Sequence, residues 1–148
     1  MDIEIKKLSF ADLNDFIDLI RVFEDVFEMQ NFNPPPSAHL QSLLDNSGFL
    51  VFVAKLQDKV IGGLTVYILD QYYSAKPLAY IYDLAVSVAH QRQGIGKKLI
   101  SYLTEYCREN GFEEVFVQAD RIDDYAIDFY RTTRPTNEEQ VVHFYYTL

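Results

Sequence analysis

The chain has 148 residues, of which 49% are hydrophobic and 24% charged, with a formal net charge of −9. This length suits one domain over residues 1–148 rather than two, and the composition excludes wholesale disorder. An acidic surface of this kind repels nucleic-acid phosphates and attracts cationic partners, although it also serves plain solubility. In chain order, Ile3, Ile5 and Leu8 alternate with charges and predict a first strand. Ser9 with Asp12 three residues on makes a capping-box-like start. Leu13, Phe16, Ile17, Ile20, Phe23 and Phe27 then fall at helical spacing. Pro34-Pro35-Pro36 breaks the chain, and Ser37 can cap a shorter helix carrying Leu40, Leu43 and Leu44, closed by Gly48.

Phe49 to Leu56 and Val60 to Leu69 are strand-like runs around Gln57-Asp58-Lys59, which predicts a hairpin. Gly62-Gly63 inside the second run signals a bulge or a close backbone approach. Ala79 to Val86 is a further strand, and Ile95, Leu99, Ile100, Leu103 and Tyr106 mark a helix face that Asn110-Gly111 closes. Val115 to Ala119 is the next strand, so a βαβ unit with a parallel pair and a right-handed crossover is expected. Asp123 can cap a last helix bearing Ala126, Ile127, Phe129 and Tyr130. Gln140 to Thr147, rich in β-branched and aromatic residues, predicts a closing strand. The expected fold class is mixed α/β, with antiparallel strands first and one parallel pair in the middle.

Several function classes recede on composition. The lone Cys107 cannot form an internal bridge, which suits a reducing, cytoplasmic compartment. Met1 to Lys7 shows no basic stretch followed by an apolar run, so no secretory signal is expected. The longest apolar run, Phe49 to Ala54, falls far short of the ~20 residues of a membrane helix. No Cys/His/Asp cluster has metal-ligand spacing, so no metal is expected. Cys107 has no histidine at a readable spacing, which argues against a thiol nucleophile.

The chemistry concentrates in Gln91-Arg92-Gln93-Gly94-Ile95-Gly96, between a strand and a helix N-terminus. First-turn amides have no internal acceptors, and the helix dipole adds about half a positive charge there. Two glycines let phosphate oxygens approach the backbone, while Arg92, Lys97 and Lys98 add positive charge in an acidic chain. The pattern is neither the Rossmann fingerprint, since Leu99 stands where a third Gly or Ala belongs, nor a Walker A loop, since Gln91 holds its first Gly position. It suits a diphosphate.

Tyr82-Asp83-Leu84-Ala85-Val86 followed at this distance by Q-x-x-G-x-G resembles the coenzyme A signature of the GNAT superfamily of N-acetyltransferases. The blocks Tyr80 to Ser87, Val117 to Asp120, Asp123-Asp124, Tyr130 and His143-Phe144 further resemble the type I aminoglycoside 3-N-acetyltransferases. The resemblance implies a central mixed sheet whose parallel pair splays around acetyl-CoA. Leu84, Ala85 and Val86 would offer backbone groups to the pantetheine arm, and Gln91, Arg92, Gln93, Gly94, Ile95, Gly96 and Lys97 would hold the pyrophosphate. Tyr130 matches the tyrosine that protonates the coenzyme sulfur. The implied acceptor is a small cationic amine, with an aminoglycoside foremost and antibiotic resistance as the associated role. One departure stands out: Arg134-Pro135 follows Tyr130 where the family has a Gly and an apolar residue, so a different turn is expected there.

Asp83 is the odd residue in an otherwise apolar strand. A carboxylate there can take the proton of an attacking amine, and burial would raise its pKa toward a useful range. The alternative is a structural aspartate bonded to neighbouring backbone. Glu24, Asp25 and Glu28 end the first predicted helix and are either a solvated face or a greeting for a polycation. Tyr82, Glu24, Glu28, Asp120 and Asp123 complete the candidate acceptor-binding set. His90 suits a cap or a phosphate contact, His143 a strand position, and His39 an exposed helix. The expected function is acetyl-CoA-dependent N-acetyl transfer by direct attack. Transfer to a polyamine, amino sugar or protein amine, and a non-catalytic acyl-CoA sensor, stand as alternatives, with a homodimer left open.

Overall fold

Apolar alternation near the N-terminus and the β-branched runs further on close into one five-stranded sheet with helices on both faces. The structure is a computed structural model and describes residues 2–148. It comprises two compact units, Met1–Gln118 and Ala119–Leu148. The first holds β1 (Ile3–Lys7), α1 (Leu13–Val26), α2 (Ser37–Leu44), β2 (Phe49–Leu56), β3 (Lys59–Leu69), β4 (Leu78–Val86), α3 (Ile95–Glu109) and β5 (Glu114–Val117). The second holds α4 (Asp124–Thr132). The strand order is β1-β2-β3-β4-β5, antiparallel except for the parallel pair β4 and β5. The mixed α/β class and the expected parallel pair are therefore both present.

Strand alternation sorts the core of the first unit into two clusters, one on each face of the sheet. Leu50, Phe52 and Ala54 of β2, with Leu64 and Val66 of β3, pack with Ile95, Leu99 and Leu103 of α3. Phe49, Val51 and Val53 point the other way, toward Phe16, Leu19 and Phe23 of α1 and Leu40 of α2. Gly62-Gly63 does both things its sequence suggests. The β2–β3 register shifts beside it, and a Cβ on Gly63 would lie 2.5 Å from the Phe52 carbonyl oxygen and 2.7 Å from Leu19 Cδ1. Glycine there lets α1 settle directly on the sheet.

Three expectations need correction. Asp12 rather than Ser9 stands at the α1 N-cap, and its carboxylate reaches back to accept the Ser9 N–H at 2.7 Å. Pro36, extended at φ −57°, ψ 149°, takes the cap position of α2 that Ser37 was expected to fill. The closing strand does not form. Gln140–Leu148 belongs to no strand, and Val141, Val142, Phe144, Tyr145 and Tyr146 are all at least 60% exposed. β-Propensity supplies no ladder partner, and a strand without one leaves its backbone groups to water. After Tyr130, Arg134 adopts φ 59°, the left-handed conformation a glycine would supply after a helix C-cap. A non-glycine residue thus holds this strained conformation.

Among the described residues, no helix is long and apolar enough to cross a membrane. No group of three or more His, Cys, Asp or Glu among them could hold a metal ion.

Candidate active site

β4 is irregular at the position where the chemistry was expected. Thr65 pairs with Asp83 and Val66 with Ile81, so Tyr82 is an extra residue in β4. Ile81 and Leu84 both pack toward the α3 face. The bulge therefore turns two successive side chains, Tyr82 and Asp83, onto the α1 face. The Asp83 N–H donates to Thr65 Oγ1 at 3.3 Å, and Thr65 is itself buried. Thr65 was missed in the sequence, where a lone threonine in an apolar strand gave only a faint signal.

β5 pairs with β4 from Leu78↔Glu114 to Ile81↔Val117 and no further, whereas β4 runs on to Val86. On that side Tyr82 to Val86 has no strand partner among the described residues. Ala85 and Val86 are buried, so only their backbone groups are available to a ligand. Asp83 is partly buried, and desolvation pushes its carboxyl above the ordinary aspartate range. Among the described residues no group hydrogen-bonds to that carboxylate.

Beyond β4 the chain makes a short 3-10 turn, Val88–His90, before α3. The Ser87 N–H donates to the Ile61 carbonyl at 2.7 Å, and Gln91 Nε2 donates to the Val86 carbonyl at 2.9 Å. The Gln91 side chain thus fastens the loop to the end of β4. His90 Nδ1 lies 2.9 Å from Ser87 Oγ, a local tie of the turn. Arg92 and Gly94 both have positive φ, 62° and 79°. Such alternation folds backbone N–H groups into a concave nest. Gly94 is the N-cap of α3 and has no side chain to cap with; the first helical bond runs from the Lys98 N–H to the Gly94 carbonyl. The first-turn amides of α3 are thereby left for another acceptor. Arg92, Gln93, Gly94 and Lys97 are exposed around them, while Ile95 and Gly96 are buried and can offer backbone alone.

The acids at the end of α1 gather as the sequence allowed. Glu24, Asp25 and Glu28 line an open depression of about 650 Å³ together with Arg21, Met29 and Gln30. In the second unit, the Asp123 carboxylate accepts the Ala126 N–H at 3.0 Å and caps α4, while Asp120 is exposed. Tyr130 lies on α4, half-buried, with its ring 5.0 Å from that of Phe129. Cys107 is buried, and burial pushes its thiol up to about 11, so it is no nucleophile at neutral pH.

Aromatic rings surround Asp83 on its face of the sheet. Tyr67, Tyr80 and Phe116 join Tyr82 there. Of these the sequence singled out Tyr82 alone, because cross-strand neighbours are visible only once register is known.

Residues 16–133 match the family model described as the acetyltransferase (GNAT) family. The fold superposes on the aminoglycoside acetyltransferase meta-AAC0020, from an uncultured soil metagenomic sample, solved in complex with sisomicin. The TM-score is 0.98 at 64% identity, covering 99% of this chain and 96% of that one. A second soil-metagenome aminoglycoside acetyltransferase, HMB0005, gives a TM-score of 0.91 at 32% identity, covering 100% and 99% of the two chains. Human N-acetyltransferase 8 is 27% identical over 92 residues, 62% of this chain and 40% of that protein. The match spans about two-fifths of the length of that curated relative.

Proposed function

This chain belongs to the acetyltransferase (GNAT) family, whose members use acetyl-CoA, and from that premise we propose that it acetylates a primary amine of an aminoglycoside at the 3-N position. The observation that carries the transfer chemistry is the end of β4, which from Tyr82 to Val86 has no strand partner on the β5 side among the described residues, leading into the uncapped amides of α3. A flexible thioester arm needs extended backbone to lie along, and its diphosphate needs a positive, donor-rich turn. Leu84 to Val86 supply the first with their backbone; Arg92 to Lys97 supply the second. The likeness to a sisomicin-bound acetyltransferase at 64% identity supports the aminoglycoside, and with it a role in antibiotic resistance. The 3-N position rests on the resemblance of Tyr80 to Ser87 and the blocks after it.

The chain's own residues then do three things. Asp83 accepts the proton of the attacking ammonium, whose deprotonation at pH 7 costs roughly 4–5 kcal/mol from a pKa near 10.4. Tyr130 donates the proton to the departing sulfur. Glu24 and Glu28 hold the remaining ammonium groups of the acceptor near the end of α1. Transfer is direct, since the one thiol is buried and held protonated. The test is thiol release from acetyl-CoA with a panel of sisomicin, spermidine, glucosamine and a lysine peptide. Release with sisomicin, and mass spectrometry placing one acetyl on N3, is expected. Release with the peptide alone would overturn the aminoglycoside assignment, and release with none would overturn transferase activity.

A further inference from the structure

We propose that Tyr67, Tyr80 and Tyr82 form a rigid aromatic corner beside Asp83 that selects amines carried on a sugar-like ring over amines on a flexible chain. The inference rests on the acetyltransferase reading above and names the feature of the acceptor that this face recognises. Tyr67 and Tyr80 are cross-strand partners, and Tyr82 stands at 88° to each, with centroids 5.5 Å and 6.0 Å away. Both outer rings are fixed from behind. Tyr67 packs on the buried Phe49 at 5.1 Å; Tyr80 stacks flat on Phe116 at 4.8 Å and 9°. The Tyr80 hydroxyl also donates to Gln118 Oε1 at 3.3 Å.

The corner is built but left open. Tyr82 is 58% exposed and Tyr67 39%, so neither ring is spent on the core. Their hydroxyls feel one another and Asp83: burial and then the charges of Tyr82 and Asp83 push the Tyr67 and Tyr80 phenols up. The carboxylate and the three rings thus share one small area. A pyranose or cyclitol ring has an apolar C–H face that lies flat on such a ring, while its ammonium groups gain the carboxylate. A polyamine brings the charge but no flat face. Rigid rings cost little ordering on binding, so the preference is expressed in affinity for the acceptor.

Sisomicin and spermidine serve as probes with the full chain at saturating acetyl-CoA. Tyr82→Leu removes an exposed ring, and retained folding is checked by circular dichroism. The variant is expected to lose about tenfold in kcat/KM for sisomicin, mainly through KM, and under about twofold for spermidine. Tyr82→Phe keeps the ring and should stay near wild type, and KM for acetyl-CoA should hold throughout. Equal losses on both amines, or none on sisomicin, would overturn the corner. Wild-type transfer to spermidine but not sisomicin overturns it while leaving the transferase reading intact. Transfer to neither overturns the proposed function, and calorimetric titration of sisomicin then decides the corner alone: a tenfold weaker Tyr82→Leu supports it, and equal affinity rejects it.

Discussion

At the scale of single residues, Asp83 carries opposite demands from stability and from chemistry. Its carboxyl is raised by desolvation, with no hydrogen bond to the charged form among the described residues. A raised folded-state pKa means that its favourable contribution is complete below the unfolded value near 3.9 and is lost as pH rises through the folded value. Asp83→Asn should therefore melt at or above wild type at pH 7, with the difference closing below about pH 4. The same variant should lose kcat/KM for a cationic acceptor, and part of the loss should return at high pH, where the amine is already neutral. Melting curves and pH–rate profiles on the same preparations check both. A less stable but fully active Asp83→Asn would make the residue scaffold. Tyr130→Phe should bind coenzyme A normally and lose about 10²–10⁴-fold in kcat, the usual scale for a general acid. An unchanged kcat with chemistry rate-limiting would remove that role.

The N-terminus of α3 is the element on which the proposed cofactor binding turns. A Cβ on Gly94 meets nothing within 4 Å, so a substitution there tests charge and backbone more than fit. Gly94→Asp places a carboxylate where a phosphate is to sit, and aspartate tolerates positive φ better than most residues. Gly94→Asn has the same shape without the charge. Calorimetric titration should show coenzyme A affinity down about tenfold or more for Gly94→Asp, and a smaller loss for Gly94→Asn. Equal affinities for the two variants would mean that no anion binds at these amides. The β4 bulge is the second decisive element: in unbroken alternation one of Tyr82 and Asp83 would face α3 and the apolar core, whereas the extra residue keeps both on the α1 face.

For the whole molecule, the net charge of −9 sets the long-range field that a ligand meets. A polycationic acceptor is attracted by it and acetyl-CoA is not, so the two KM values should respond differently to salt. Raising ionic strength from about 0.01 M to about 0.15 M shortens the screening length from about 30 Å to about 8 Å. Over that range KM for sisomicin should rise severalfold, while KM for acetyl-CoA stays flat or falls. Parallel rises in both would argue against steering by the acidic surface.

What the sequence determined by itself is local: the β2–β3 hairpin, the glycine loop opening α3, and the Asp123 cap of α4 all follow from neighbours within a few residues. The nest of amides proposed to hold the coenzyme belongs to the same class, because it is made by successive φ angles from Arg92 to Gly94. The tertiary structure alone decided the rest. The bulge at Tyr82 exists only as a register against β3, and the free side of β4 beyond Ile81 exists only because β5 stops at Val117. Tyr67 and Tyr80 meet across strands from positions 13 residues apart, and burial of the Asp83 carboxylate needs the packed sheet around it. The segment from Gln140 to Thr147 shows the converse, since strong strand propensity produced no strand. Arg134 does too: its side chain argues against a left-handed turn, yet it holds φ 59°. Propensity acts on each residue singly at a cost of about 1 kcal/mol, whereas pairing and burial act on many residues together and decide register, faces and environment.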